Sequence, residues 1–253
     1  MERAKTWKEM AFSASAGRPV QERVEALSTL RNLSVDAANK KPMWVEASLR
    51  TVVTDGASAG RPEQIRERAL ATLANLAADA TNAHSMWACE AVRAAVATGA
   101  ADGRPENVRV NALAALANLA RDATNAQSIW TDERVRAAVA HGAADGQPED
   151  VQVNSLATMA NLAADASGIT MWTIAWVRHS VAHSATNGQS EEVRVQAMRT
   201  LAVLADHAAN KQPMWACKEV QDAVAVGAAE GQPEQVRQYA MATLGNLAVP
   251  CWS

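Results

Sequence analysis

Residues 102–121 read Asp102-Gly-Arg-Pro-Glu-Asn-Val-Arg-Val-Asn-Ala-Leu-Ala-Ala-Leu-Ala-Asn-Leu-Ala-Arg121. The Asp-Gly and Arg-Pro pairs break the chain, and Pro105 stands where a new helix can begin. Beyond it Val108, Ala112, Leu113, Leu116 and Leu119 are spaced by 4, 1, 3 and 3 residues. That is helical periodicity with one buried face. Upstream, Trp87, Val92 and Val96 make a shorter apolar stripe on a first helix. The unit is therefore expected as a helix, a Gly-Pro turn, a short helix and a longer helix. The tripeptide at 103–105 recurs as Gly17-Arg18-Pro19, Gly60-Arg61-Pro62, Gly146-Gln147-Pro148, Gly188-Gln189-Ser190 and Gly231-Gln232-Pro233, so the chain is six copies of one unit stepping by 42 or 43 residues. Self-similarity at roughly 40–47 residues marks helical repeat arrays. Such arrays bind more often than they catalyse.

Composition narrows the function further. The formal charge of -3, from 24 basic and 27 acidic side chains, gives no basic face, which argues against nucleic acid as partner. Hydrophobic residues make up 49% of the chain, with one Phe and one Tyr, so the helices must pack through Ala, Leu and Val. Cys89, Cys217 and Cys251 are an odd, widely spaced set without C-x-x-C. They fit neither a disulfide framework nor a zinc site, and favour a reducing intracellular compartment, cytoplasm or nucleus, although an organelle also fits. Residues 1–10 carry charges and no apolar h-region, and no run approaches the ~18 apolar residues of a membrane span.

The segments Ile65 to Ala77 and Val108 to Ala120 resemble the armadillo repeat, whose third helix follows the pattern V-Q-x-x-A-(W)-A-L-x-N-L-A. The match recurs five times in register and extends over essentially the whole chain. The resemblance implies an all-α, right-handed superhelical solenoid of six three-helix repeats of about 43 residues, with the third helices lining a concave groove. Repeats are expected at 1–38, 39–81, 82–124, 125–167, 168–209 and 210–253. In importin-α and β-catenin, which share the fold, the groove holds an extended peptide. The Asn of the third helix, which bonds the ligand main chain in peptide-binding members, falls on Asn32, Asn75, Asn118, Asn161 and Asn246, with Val203 breaking the ladder in repeat five.

An amide offers both donor and acceptor, so it can satisfy the N–H and C=O of an extended chain. Third helices about 8–10 Å apart would be spanned by roughly two to three extended residues. The alternative is that these Asn bridge neighbouring helices, since mid-helix Asn needs some partner. Four residues earlier, where many importin-type repeats carry Trp, this chain has Ser28, Ala71, Ala114, Ala157, Arg199 and Ala242, so importin cargo specificity does not transfer. Seven residues before the Asn stand Glu25, Arg68, Asn111, Asn154, Gln196 and Tyr239. This varied row is read either as the specificity row or as solubilising surface. Asp36, Asp79, Asp122 and Asp165 follow the ladder by four residues, with His207 in repeat five. Placed at helix C-termini, these acids would oppose the macrodipole. They are read as Asx-turns opening the next linker, or as an acidic rim for a Lys/Arg-bearing ligand.

Trp44, Trp87, Trp130, Trp172 and Trp215 form a column expected to be wedged between successive repeats, the alternative being a row of ligand-stacking rings. Repeat five is irregular, with one residue deleted before Trp172, Gly168 in place of the Asn at 39, 82 and 125, and Arg199 entering the groove. Trp176 occupies a column otherwise filled by Ser48, Ala91, Arg134 and Glu219. It is read as an exposed docking residue beside Arg178, or as a ring folded into the space left by the deletion. His179 and His183 are four apart on one helix, but no third ligand of suitable spacing follows. Nucleophile elbow, P-loop and zinc-protease motifs are absent from the sequence. At the last repeat Met241, Leu244 and Leu247 repeat the buried pattern, read either as part of a longer array or as a face covered by Trp252 or a partner.

These readings lead to a non-enzymatic scaffold without metal or cofactor, binding a partner protein or extended peptide through Asn32, Asn75, Asn118 and Asn161. Arg68, Asn111, Asn154, Arg199 and Trp176 complete the expected binding set. The second reading is a structural subunit of a larger complex, docking through its outer surface and C-terminal face.

Overall fold

A computed structural model describes residues 2–165 and 167–248, which form seventeen helices and no strand. The chain divides into two compact units, Met1–Asn125 with Asp132–Ala138, and Ala126–Thr131 with Val139–Ser253. The first unit contains α1 (Glu2–Ala14), α2 (Val20–Leu33), α3 (Ala37–Val45), α4 (Ala47–Ala57), α5 (Glu63–Ala77), α6 (Ala80–Ala88), α7 (Glu90–Ala100) and α8 (Glu106–Leu119). There the long helices α2, α5 and α8 pack side by side, α4 and α7 lie against α5 and α8, and α1 packs on α2 and α4. After α9 (Ala123–Thr131) and α10 (Glu133–Gly142), the second unit continues with α11 (Glu149–Ala163), α12 (Ser167–Thr173), α13 (Ala175–Ser184) and α14 (Glu191–Asp206). It ends in α15 (Ala208–Trp215), α16 (Lys218–Gly227) and α17 (Glu234–Leu247). The long helices α11, α14 and α17 are again neighbours, with α13 on α14 and α16 on α17.

Two features differ from the sequence reading. Both short helices of a repeat precede the Gly-Arg-Pro turn and one uninterrupted long helix follows it, as in α6, α7 and α8. The break overlooked in the sequence is a single extended residue, Cys89 with φ -77° and ψ 114°, between Trp87-Ala88 and Glu90. The segment 1–38 holds two helices, α1 and α2, and only the start of α3, instead of three.

Local chemistry explains these boundaries. Pro19, Pro62, Pro105, Pro148 and Pro233 precede the long helices with φ near -52°, where a missing N–H costs nothing. Before them Gly60, Gly103, Gly146 and Gly231 take φ between 72° and 85°, a conformation closed to most side chains. The acids of the Asp column do not sit at the C-termini of the long helices. They cap the N-terminus of the next helix, where a carboxylate agrees with the macrodipole. Asp36 accepts from the Ala38 N–H at 3.0 Å, Asp79 from Thr81 at 2.9 Å, Asp122 from Thr124 at 2.9 Å and Asp165 from Ser167 at 2.8 Å.

The core is made of close backbone approaches filled out by Leu and Trp. A Cβ on Gly99 would lie 2.9 Å from that of Ala112 and 3.0 Å from Leu70 Cδ1, so α7 rests on α8 with no room for a methyl. Trp44, Trp87, Trp130 and Trp172 are 3–5% exposed, each contributing on the order of 1.5–3 kcal/mol by burial. The Trp44 indole donates to Ser85 Oγ, one repeat on, at 2.8 Å. Trp215 departs from the column at 52% exposure, and Met241, expected in the core, is 56% exposed. Trp252 lies outside the described residues.

The second Asn column, named in the sequence at 39, 82 and 125 but given no role there, lies in the core. Asn82 Nδ2 donates to Lys40 O and Leu76 O, both at 3.1 Å. Asn125 does the same to Ala83 and Leu119, and Asn210 to Gly168 and Leu204. Each amide ties the first short helix of its repeat to the equivalent helix one repeat earlier and to the end of a long helix. At Gly168 the column is broken and the His207 ring approaches instead, its Nε2 2.6 Å from Ala163 O. A Cβ on Gly168 would lie 2.3 Å from Ala163 O and 2.4 Å from that nitrogen. Both the main chain of α11 and the His207 ring therefore leave room only for glycine at 168.

Candidate interaction surface

The ladder Asn side chains are exposed or half-buried on the long helices, and in Asn75, Asn118 and Asn246 the amide nitrogen donates to the preceding repeat. Asn118 Nδ2 donates to Ala74 O at 2.9 Å, and Asn246 Nδ2 to Ala202 O at 2.9 Å. Asn75 Nδ2 reaches Ser34 Oγ at 3.0 Å and Arg31 O at 3.3 Å. Asn32 is exposed, its carbonyl accepting from Arg31 at 3.3 Å. The bridging role weighed from the sequence is thus present. It also fixes the amide, so that the carbonyl oxygens of Asn75 and Asn118, unpaired among the described residues, are presented outward with a defined orientation. Beside Asn118 lies a cleft of about 220 Å³ lined by Ala77, Ala78, Ala80, Ala83, Arg121 and Asp122. Its floor is methyl groups and its rim is charged.

In the second unit the edge is already occupied. Arg199 donates from one nitrogen to Asn161 Oδ1 and from another to Gln196 Oε1 at 3.3 Å. The guanidinium lies over the place where Asn161 would meet a ligand, and the next ladder position is Val203. The row seven residues before the ladder is largely self-satisfied. Asn111 and Asn154 donate to the main chain of their own helices, each at 2.7 Å, and Arg68 pairs with Glu67 at 2.8 Å.

Trp176 is half-buried, not the exposed residue expected from its column, with its ring 6.1 Å from that of Trp130 and tilted by 41°. Arg178 is occupied as well, donating to Trp172 O and Thr173 O at 2.9 and 2.8 Å and so closing the C-terminus of α12. Arg93 does this for α6. His179 and His183 stack at 6.0 Å along a cleft of about 520 Å³ between α13 and α16. No group of three metal-ligating side chains occurs among the described residues.

Two capping carboxylates, Asp79 and Asp132, have depressed pKa values. Asp79 is lowered first by the Thr81 hydroxyl, Asp132 first by the Arg134 guanidinium. Burial pushes the Cys217 thiol up.

No family model matches the sequence, and no curated protein does. Solved structures do match. A designed armadillo repeat protein superposes with a TM-score of 0.82 at 22% identity, covering 95% of this chain and 99% of the other. The fold is of the armadillo type. Computationally designed armadillo repeat proteins for modular peptide recognition match at 0.75 and 21% over the same shares. A designed armadillo repeat protein in complex with the peptide (KR)4 matches at 0.74 and 18%, covering 95% and 99%. Within this armadillo fold no described helix is long and apolar enough to cross a membrane.

Proposed function

We propose that this chain is a non-catalytic protein-interaction scaffold that holds an extended segment of a partner along α2, α5 and α8. The observation that carries the reading is the pair of oriented, unpaired Asn75 and Asn118 carbonyls, the second beside the Ala-floored cleft with Arg121 on its rim. A carbonyl held this way accepts the N–H of an extended chain without first losing amide rotation. The similar designed proteins, two of them described by their peptide recognition, favour the same reading. Because Arg199 covers Asn161, the segment is placed at Asn32, Asn75 and Asn118 rather than along the whole ladder.

Photoreactive residues at 71 and 114, half-buried positions on α5 and α8, and at the exposed position 215 test this in the native extract. Crosslinks to one unstructured segment support it; their absence, with crosslinks instead from position 215, sinks it. A second reading is favoured by a specific observation, the apolar exposure of Trp215, Val226 and Met241 on α15, α16 and α17. In that reading the partner covers this face and the chain is an assembly subunit.

A further inference from the structure

Near the N-terminal ends of its long helices the first unit buries three arginines, Arg23, Arg66 and Arg109, at 4–6% exposure. A buried cation needs a partner, because an unpaired one costs several kcal/mol of solvation. Arg23 has its partners. Its Nε donates to Ala14 O at 3.1 Å and its Nη2 to the Asp55 carboxylate at 3.1 Å. The other oxygen of Asp55 takes Arg61, from the Gly-Arg-Pro turn that follows. One carboxylate thus serves two guanidinium groups.

One repeat later both cations are kept, as Arg66 and Arg104, but the position of Asp55 holds Thr98. The Thr98 hydroxyl donates into its own helix, to Ala94 O at 2.7 Å. Arg66 makes no hydrogen bond or ion pair with any described residue, and its Nε and Nη2 are sealed from solvent without an acceptor. Burial, and after it the charge of Arg104, lowers its pKa, so the neighbouring charge that acts on it is another cation. The turn offers a second place for an acid, used in the other unit by Asp145, which accepts from Gln189 and faces His183 at 3.6 Å. Its counterpart beside Arg66 is Ala59.

We propose that Arg66 and Arg104 bind an oxyanion, phosphate or carboxylate, in the place that the Asp55 carboxylate fills one repeat earlier. Two guanidinium forks suit such a group, because each can donate two parallel N–H bonds. The site lies nine residues before Asn75 on α5, about 14 Å along the helix, so it is separate from the proposed groove and independent of it.

Thermal unfolding of the full chain, at neutral pH and constant ionic strength in chloride, phosphate or acetate, tests the proposal. General salting effects act on every variant alike, so the difference between wild type and variants is the readout. Phosphate at roughly ten times its Kd should raise the wild-type Tm by about 3–6 °C over chloride. Thr98→Asp supplies the carboxylate internally, so it should raise Tm in chloride and abolish the anion-specific rise; Arg104→Gln should cut that rise without supplying a replacement. A rise with phosphate alone assigns a phosphate group, and an equal rise with acetate assigns a carboxylate. An equal response in wild type and Arg104→Gln, or no rise with either anion, overturns the site even if Thr98→Asp fails to fold.

Discussion

Asp79 illustrates how a single carboxylate is used in this chain. Its oxygen accepts from both the N–H and the hydroxyl of Thr81, at 2.9 and 2.8 Å. These bonds hold its folded pKa below the ordinary value. A depressed folded pKa means that the stabilisation is complete above the unfolded pKa, near ~3.9, and is lost as pH falls through the folded value. Asp79→Ala is expected to cost about 0.5–2 kcal/mol at pH 7, measured by urea unfolding. Asp79→Asn keeps the acceptor, so it should remain close to wild type at pH 7 and show a shallower loss below pH ~4. Gly168 and His207 make a second test at this scale. Gly168→Asn alone forces a side chain against the imidazole, and should cost about 1–3 kcal/mol. His207→Asp alone strands the Ala163 carbonyl, at about 1–3 kcal/mol if it stays dry. The double variant relieves the contact with the ring but not the one with the Ala163 carbonyl, so it should recover about 0.5–3 kcal/mol relative to the sum in a double-mutant cycle and still fall short of wild type.

At the scale of helices, two Asn columns with the same side chain are expected to differ in weight. Asn82 is 1% exposed and joins α6 to Lys40 O of α3 and Leu76 O of α5, whereas Asn75 is half-buried. Asn82→Ala removes two hydrogen bonds from the core, about 0.5–1.5 kcal/mol each, although Leu76 O keeps the Asp79 N–H; Asn75→Ala should cost about 0.5–1.5 kcal/mol in all, since solvent can replace it. Urea denaturation of the two variants checks the order. The difference shows what a sequence conveys. The repeat period, the Pro at the start of each long helix and the Leu stripe were legible because they recur and have a period of their own. The break at Cys89 was not, because one extended residue between two short helices leaves the apolar spacing almost unchanged. The Asp column was visible as a column, but its role depends on whether the helix ends before or after it, and periodicity does not fix that. Ladder positions on the edge of α5 and α8 could be named from the pattern; that Arg199 would cover Asn161 could not, because a long side chain spans two repeats and its direction is set by tertiary packing.

At the scale of the whole chain, each repeat is stabilised largely by what lies on either side of it. Trp172 is 3% exposed within the second unit, while Trp215, one repeat later in the same column, is 52% exposed. The same indole at the same place in the repeat thus has two environments, which allows its burial to be weighed inside one molecule. Trp172→Ala should destabilise by about 3–5 kcal/mol, from lost transfer and the cavity left behind. Trp215→Ala should cost about 1 kcal/mol or less in the isolated chain, because half its surface is already in water. Chemical unfolding followed by circular dichroism, which does not depend on the removed fluorophore, gives both values. The proposed assembly role adds a further expectation. A partner seated on α15–α17 would bury Trp215 with Val226 and Met241, and Trp215→Ala would then weaken the complex by about 2 kcal/mol or more, as for a central aromatic anchor, while leaving the free chain nearly unchanged. A Trp215→Ala variant that binds the captured partner as tightly as wild type would remove that face from the interface and leave the edge of α2, α5 and α8 as the place to look.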